Sequence, residues 1–410
     1  MPNPDPILEL QILQCLQRGS DLDFLHNLDR TTWLAFLNQA NFYSLIPLLY
    51  QRLVRERPGQ TLLPAEVSQL LRTTYYKSLG KNTVNFHLLG QVLQRLQEAG
   101  LRVLLLKGAY LAEQVYGDIG LRPMGDIDLL TPPDKFPQVL ESLTAMGFTS
   151  ERPYFEEADG ILHYHAPGLI KDGVLIELHW DLVLSSSPVQ FDIQHLWDRA
   201  RPVTLEHGQA WALAPEDLLL YLCVHTAYVH EFHNQLRSLV DIAEVLHHSA
   251  DTINWDILVK TAGDWKAGRG VYLTLTLVKE LLKAEIPVGR LEALKPGNWT
   301  PRALDWARQR LFHQNPKLST NFLRLINTDL PLRPRLLALR QAFFPPRLVM
   351  TLLYGFPPGS WQITVRYLPY AASRIFNYWG RFVRRLRRDP GQATEASSTL
   401  ALQDWLGIKN

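Results

Sequence analysis

Three short apolar runs between residues 102 and 180 constrain this chain more than any other feature. Residues 102–106 (RVLLL) lie between Gly100 and Gly108, and residues 126–130 (DIDLL) follow a glycine- and proline-rich loop, GDIGLRPMG, at 117–125. Residues 174–180 (VLIELHW) follow a turn at Lys171, Asp172 and Gly173. Short apolar runs bounded by turn residues read as buried strands. Between them the pattern predicts a helix from Gly108 to about Tyr116, and another from Pro133 to Met146 ending at Gly147. A further strand is expected over 161–166. The order strand, helix, strand, helix, strand, strand describes a compact mixed α/β unit.

Helical periodicity surrounds that unit. Ile7, Leu8, Ile12, Leu13 and Leu16 recur at helical spacing, and a run from Leu88 to Leu96 ends at Gly100. After Pro215 the spacing predicts helices over 215–230, 234–249, 254–265 and 268–285, then a linker marked by Pro287, Gly289, Pro296 and Gly297. The expected fold class is therefore α+β. An N-terminal helical region (1–100) precedes the small mixed-sheet core (101–213) and its helical continuation (214–290). A C-terminal helical region (300–390) and a polar, frayed tail (391–410) follow.

Composition narrows the function only by exclusion. Hydrophobic residues at 46% support a large core and exclude wholesale disorder. With 42 basic and 40 acidic residues, overall charge argues neither for nor against nucleic acid. Two cysteines are too few for a disulfide framework or a thiolate zinc site, and fit a reducing, cytoplasmic setting. No signal-like start is visible, and no apolar stretch is long enough to predict a membrane-spanning helix.

Chemistry concentrates in two of the strands. Asp126 and Asp128 stand two apart, so a strand sends both carboxylates to one face while Ile127 and Leu129 enter a core. Adjacent carboxylates repel unless a cation lies between them, and a hard divalent ion such as Mg²⁺ takes oxygen ligands and shares them with phosphates. Glu177 supplies a third acid on a neighbouring strand, with His179 on the same face as an acceptor or proton-transfer contact. Lys107 and Gly108 mark a strand-to-helix junction suited to phosphate, and Arg122 offers a second cation.

The succession LKG at 106–108, RPMGDIDLL at 122–130 and IELHW at 176–180 resembles the nucleotidyltransferases of the DNA polymerase β superfamily. It is most similar to an uncharacterised bacterial nucleotidyltransferase group with those motifs, and more distantly to nucleotidyltransferase-like toxins of abortive-infection systems. The motifs cover about residues 100–185, and the helical segment after 213 extends the likeness to about 250. The resemblance implies transfer of a nucleoside monophosphate from an NTP, such as ATP, to an acceptor with release of pyrophosphate. It implies Asp126, Asp128 and Glu177 as catalytic and metal-holding residues. It implies Lys107, Gly108, Arg122 and Gly125 as nucleotide-binding residues, and Mg²⁺ as cofactor with Mn²⁺ as its alternative. The superfamily commonly carries Gly-Ser at the phosphate loop, where this chain has Lys107, Gly108 and Ala109. That departure keeps open an inactive nucleotide-binding or scaffold protein of a biosynthetic cluster, and a tRNA-modifying toxin is a third reading. Near-neutral charge favours a small-molecule or protein acceptor over tRNA.

Other clusters read more plainly. His225, Glu231, His230 and His233 do not have zinc-motif spacing. Arg237 and Asp241 have the spacing of a helical ion pair, or form a wall of the nucleotide cleft. His163 and His165 alternate as on a surface strand. Residues 374–388 form a basic amphipathic pattern that suits docking on its own domain, peripheral contact with an anionic membrane, or RNA.

Overall fold

The computed structural model describes residues 6–57, 63–155, 163–312, 343–357, 359–386 and 390–408, together with Arg333 and Arg340; side chains are not described over 374–396. One mixed sheet organises the molecule, and its strands run in the spatial order β3-β4-β5-β2-β1-β7-β6. They are β1 (Leu104–Leu105), β2 (Ile127–Leu130), β3 (Thr149–Ser150), β4 (Leu169–Lys171), β5 (Val174–His179), β6 (Arg201–Leu205) and β7 (Gly208–Ala212). β2 runs parallel to β5 and antiparallel to β1, which in turn runs parallel to β7. Flanked by helices, this is the expected α+β class.

Side-chain alternation divides the sheet into two unlike faces. Leu105, Ile127, Leu129, Ile176 and Leu178 face one apolar core, shared with Phe136, Val139 and Leu143 of the helix Phe136–Ala145 and with Phe86 to Leu96 of the long helix Ala65–Glu98. Leu104, Leu106 and Leu130 face the other, where the helices Pro215–Val224 and Leu236–His248 pack. On this second face Asp128 and Leu130 of β2 and His179 of β5 are buried, whereas Leu175 and Glu177 of β5 keep part of their surface.

The helices after Pro215 fall close to their predicted spans: Pro215–Val224, Leu236–His248, Trp255–Asp264 and Gly268–Leu282. Three expectations are corrected. Residues 161–162 lie outside the described residues, and His165 forms only a single bridge to His179; the strand beside β5 is β4, because the tight Asp172-Gly173 turn pairs β4 with β5 directly. The predicted linker carries a short helix, Val288–Ala293. The tail is not frayed: the helix Pro390–Leu406 buries Leu402 and Leu406, Arg310 bonds Thr399, and Gln403 donates to Glu231 Oε2 at 2.8 Å. The basic pattern at 374–388 begins on the helix Trp361–Leu386, but its side chains lie outside the described ones. Among the described residues no helix is long and apolar enough to cross a membrane.

Candidate active site

Parallel pairing sets Asp128 of β2 directly beside Glu177 of β5, and Leu130 beside His179. Residues in register on neighbouring strands share a face, so the two carboxylates and the imidazole converge. One ligand atom from each of Asp128, Glu177 and His179 lies within 4.8 Å of the others, which no other His, Cys, Asp or Glu trio among the described residues achieves. His179 Nε2 is 3.2 Å from Asp128 Oδ1 and 3.6 Å from Glu177 Oε2. Its Nδ1 is buried with no hydrogen-bond partner. The rings of His165 and Tyr164 lie 5.0 and 5.5 Å from the His179 ring, so His165 belongs to the wall of the site and not to an outer surface.

Lys107 completes the cluster. Its Nζ lies 3.0 Å from Asp128 Oδ1, and its backbone holds a left-handed φ of 39° that costs a non-glycine residue strain. Burial alone would raise the Asp128 carboxyl, yet the Lys107 ammonium and the His179 hydrogen bond hold it well below the usual carboxylate range. Burial likewise opposes charge on Lys107 and His179, and their carboxylate partners outweigh it, so both are raised. Glu177 is lowered, first by the His179 imidazole, whose Nε2 stands 3.6 Å from its Oε2.

Asp126 sits apart from this charge-matched group. It stands one residue before β2, half-buried, and its carboxyl is raised by burial and then by the negative charges of Asp128 and Glu177. Asp126 is thus within electrostatic reach of the trio, while His179 occupies the third close position that the sequence pattern gave to Asp126.

The loop carrying Asp126 is pinned from behind. Asn82, buried on the long helix, donates to the Ile119 and Arg122 carbonyls and accepts from Met124 N–H at 3.3 Å. Arg122 donates from Nε and Nη2 to Asp241 at 2.9 and 2.7 Å, and the Tyr116 hydroxyl donates to the same carboxylate at 2.8 Å. The predicted Arg237–Asp241 pair is therefore not formed: Asp241 turns to Arg122, and Arg237 donates to the Pro123 carbonyl. Gly108 leaves room for Arg122, since a Cβ there would stand 2.9 Å from Arg122 Nη1 and 3.2 Å from Met124 Sδ. Gly125 borders open space.

Asn82 and the Arg122–Asp241 link escaped sequence reading. The one available signal for Asn82 was a polar residue on the apolar face of a helix. Tyr221 and His225 line the helical side near Lys107, with His225 held neutral by burial and then by the Lys107 charge. His230 packs on His225 with ring centroids 4.4 Å apart, and Glu231 binds Gln403, so these residues serve packing.

The donor set suits a divalent ion. Two carboxylates and an imidazole converge, and the Asp126 carboxylate stands beside them under like-charge strain. Oxygen ligands fit Mg²⁺, and the imidazole nitrogen suits Mn²⁺ better. A family model described as an uncharacterised nucleotidyltransferase matches residues 29–283, more than half of the chain and every element that builds the site. No curated protein and no solved structure matches the chain.

Proposed function

The chain belongs to that family of nucleotidyltransferases, enzymes that transfer phosphorus-containing groups, and from this premise we propose that it moves a nucleoside monophosphate from an NTP to an acceptor hydroxyl, with Mg²⁺ or Mn²⁺ held by Asp126, Asp128 and Glu177. The observation that carries this reading is the convergence of Asp128, Glu177 and His179 on one face of two parallel strands. Kinship with the DNA polymerase β superfamily is part of the same proposal.

In the reaction the acceptor hydroxyl gives its proton to the neighbouring Glu177 carboxylate or to water, its oxygen forms a bond to the α-phosphorus, the α–β anhydride bond breaks, and pyrophosphate leaves. A bound divalent ion supplies charge neutralisation at the phosphates and a more acidic acceptor hydroxyl. The Glu177 side chain keeps 26% of its surface and meets an entering hydroxyl, whereas Asp128, at 3%, anchors the site from beneath. The His179 Nε2 bond orients the Asp128 carboxylate, and the same nitrogen stands 3.6 Å from Glu177 Oε2 as an electrostatic partner. Lys107 neutralises Asp128 at rest, and its ammonium is close enough to turn toward phosphate once that carboxylate is engaged otherwise.

Incubation with each α-labelled NTP, Mg²⁺ and cell extract tests the proposal. Label transfer that Asp128→Ala abolishes supports it, and absence of transfer with every NTP refutes it. The internal pairing of Lys107 and Arg122 favours one second reading, a nucleotide-binding scaffold, for which nucleotide binds and no label moves. Near-neutral net charge favours a small-molecule or protein acceptor; label on tRNA would exclude that choice.

A further inference from the structure

Arg122, the cation that the RPMGDIDLL motif offers to phosphate, is already engaged. Its Nε and Nη2 are both taken by Asp241, and its side chain is only 10% exposed. Lys107 is held by Asp128. A third cation stands at the same loop. Arg237, on the helix Leu236–His248, donates from Nη2 to the Pro123 carbonyl, and among the described residues no carboxylate lies within ion-pair distance of it. A guanidinium has five N–H donors, so a single carbonyl leaves most of its fork unused.

Burial pushes the Arg237 guanidinium down to about 10, the Arg122 charge adding to that effect while Asp241, Tyr116 and Asp126 oppose it. A poorly hydrated cation without a counterion is costly unless a ligand supplies the negative charge. Across the loop, three residues after Pro123, Asp126 makes no hydrogen bond or ion pair among the described residues. A guanidinium without a carboxylate partner and a carboxylate without a hydrogen bond thus flank one short segment within electrostatic reach of the Asp128–Glu177 pair.

We propose that Arg237 is the cation that receives the polyphosphate chain of the incoming nucleotide, while the Arg122–Asp241 pair acts as the buttress that fixes the loop. This rests on the nucleotidyl-transfer reading above. The planar guanidinium fork matches phosphate oxygens in a bidentate way that an ammonium cannot. Its helix is anchored to the loop twice, through Asp241 to Arg122 and through Arg237 to Pro123, so the fork is held ready before the ligand arrives.

Calorimetric titration of the full chain with tripolyphosphate in the presence of Mn²⁺ tests the assignment without knowledge of the base. Arg237→Gln is expected to weaken tripolyphosphate binding by about 10- to 100-fold, the loss of a charge-assisted hydrogen bond. Arg237→Lys should fall between it and the wild type. Binding of Mn²⁺ alone should be equal in all three. Wild-type tripolyphosphate binding that Arg237→Gln leaves intact sinks the assignment and spares the nucleotidyl-transfer reading. Loss of Mn²⁺ binding in Arg237→Gln also overturns the assignment, because the arginine then merely holds the loop. No tripolyphosphate binding by the wild type removes both.

Discussion

Lys107 Nζ lies 3.0 Å from Asp128 Oδ1, so the site carries its own cation against its most deeply buried carboxylate. An ion pair at this depth is costly to break from one side, because the remaining charge has no water to turn to. Lys107→Met should therefore destabilise the metal-free protein by about 3–5 kcal/mol in urea unfolding. Saturating Mn²⁺ should restore much of the loss, by giving Asp128 another positive partner. The sign with pH follows from the lowered Asp128 carboxyl: the pair's contribution is present above the ordinary value of 3.8 and is lost as pH falls toward the depressed one. The deficit of Lys107→Met should accordingly shrink in acid.

Asp126 behaves in the opposite sense. Its carboxyl is raised by burial and by Asp128 and Glu177, so its ionised form opposes folding in the absence of metal. The protonated group favours the fold below 3.8, and that benefit disappears as pH rises through the raised value. Asp126→Asn should stabilise the metal-free protein at pH 7 by about 0.5–2 kcal/mol, as relief of a functional strain does. The gain should vanish near pH 4 and be accompanied by loss of nucleotidyl transfer. Thermal melts at the two pH values, run beside the transfer assay, check both parts.

The Arg122–Asp241 pair predicts a different pattern. With side chains 10% and 4% exposed, neither partner can turn to water when the other is removed. Asp241→Ala should cost about 3–5 kcal/mol, whereas the double change Arg122→Met with Asp241→Leu should recover much of it. Chemical denaturation of the single and double variants measures this. A single variant as stable as the wild type would show that the pair does not fix the loop.

Gly108→Ala probes the same loop from the other side. The added methyl meets Arg122 Nη1 at 2.9 Å, and that guanidinium cannot move freely because two of its nitrogens hold Asp241. The expected cost is about 1–3 kcal/mol, the range for overpacking, against the helix-favouring effect of alanine. Denaturation midpoints decide the sign.

Local patterns carried the choice of Asp128, Glu177 and His179, because strand period is a short-range property and alternation gives the face; the parallel register of β2 with β5, which brings the acids together, is set by the fold. The fate of Arg122 was not legible, since its partner lies 119 positions away and the i,i+4 spacing of Arg237 and Asp241 suggested a local pair instead. Contact with the loop pulled those two side chains to separate partners. The C-terminal helix was hidden for a related reason. Its small and polar residues give little periodic contrast, and Thr399 and Gln403 are buried because Arg310 and Glu231 bond them, which only the folded chain reveals. Alternation alone places His179 on the face of Glu177 as an acceptor or proton-transfer contact; its position between two carboxylates follows from the register of β2 with β5.

Mn²⁺ binding to the metal-free protein, followed by electron paramagnetic resonance for the wild type, Glu177→Gln and Asp128→Asn, decides whether the paired carboxylates of β2 and β5 hold a divalent ion. The wild type should show a saturable Mn²⁺ site that weakens by about 10-fold or more in each variant while the fold persists, each having lost a charged ligand oxygen. Equal Mn²⁺ binding by all three proteins would contradict it.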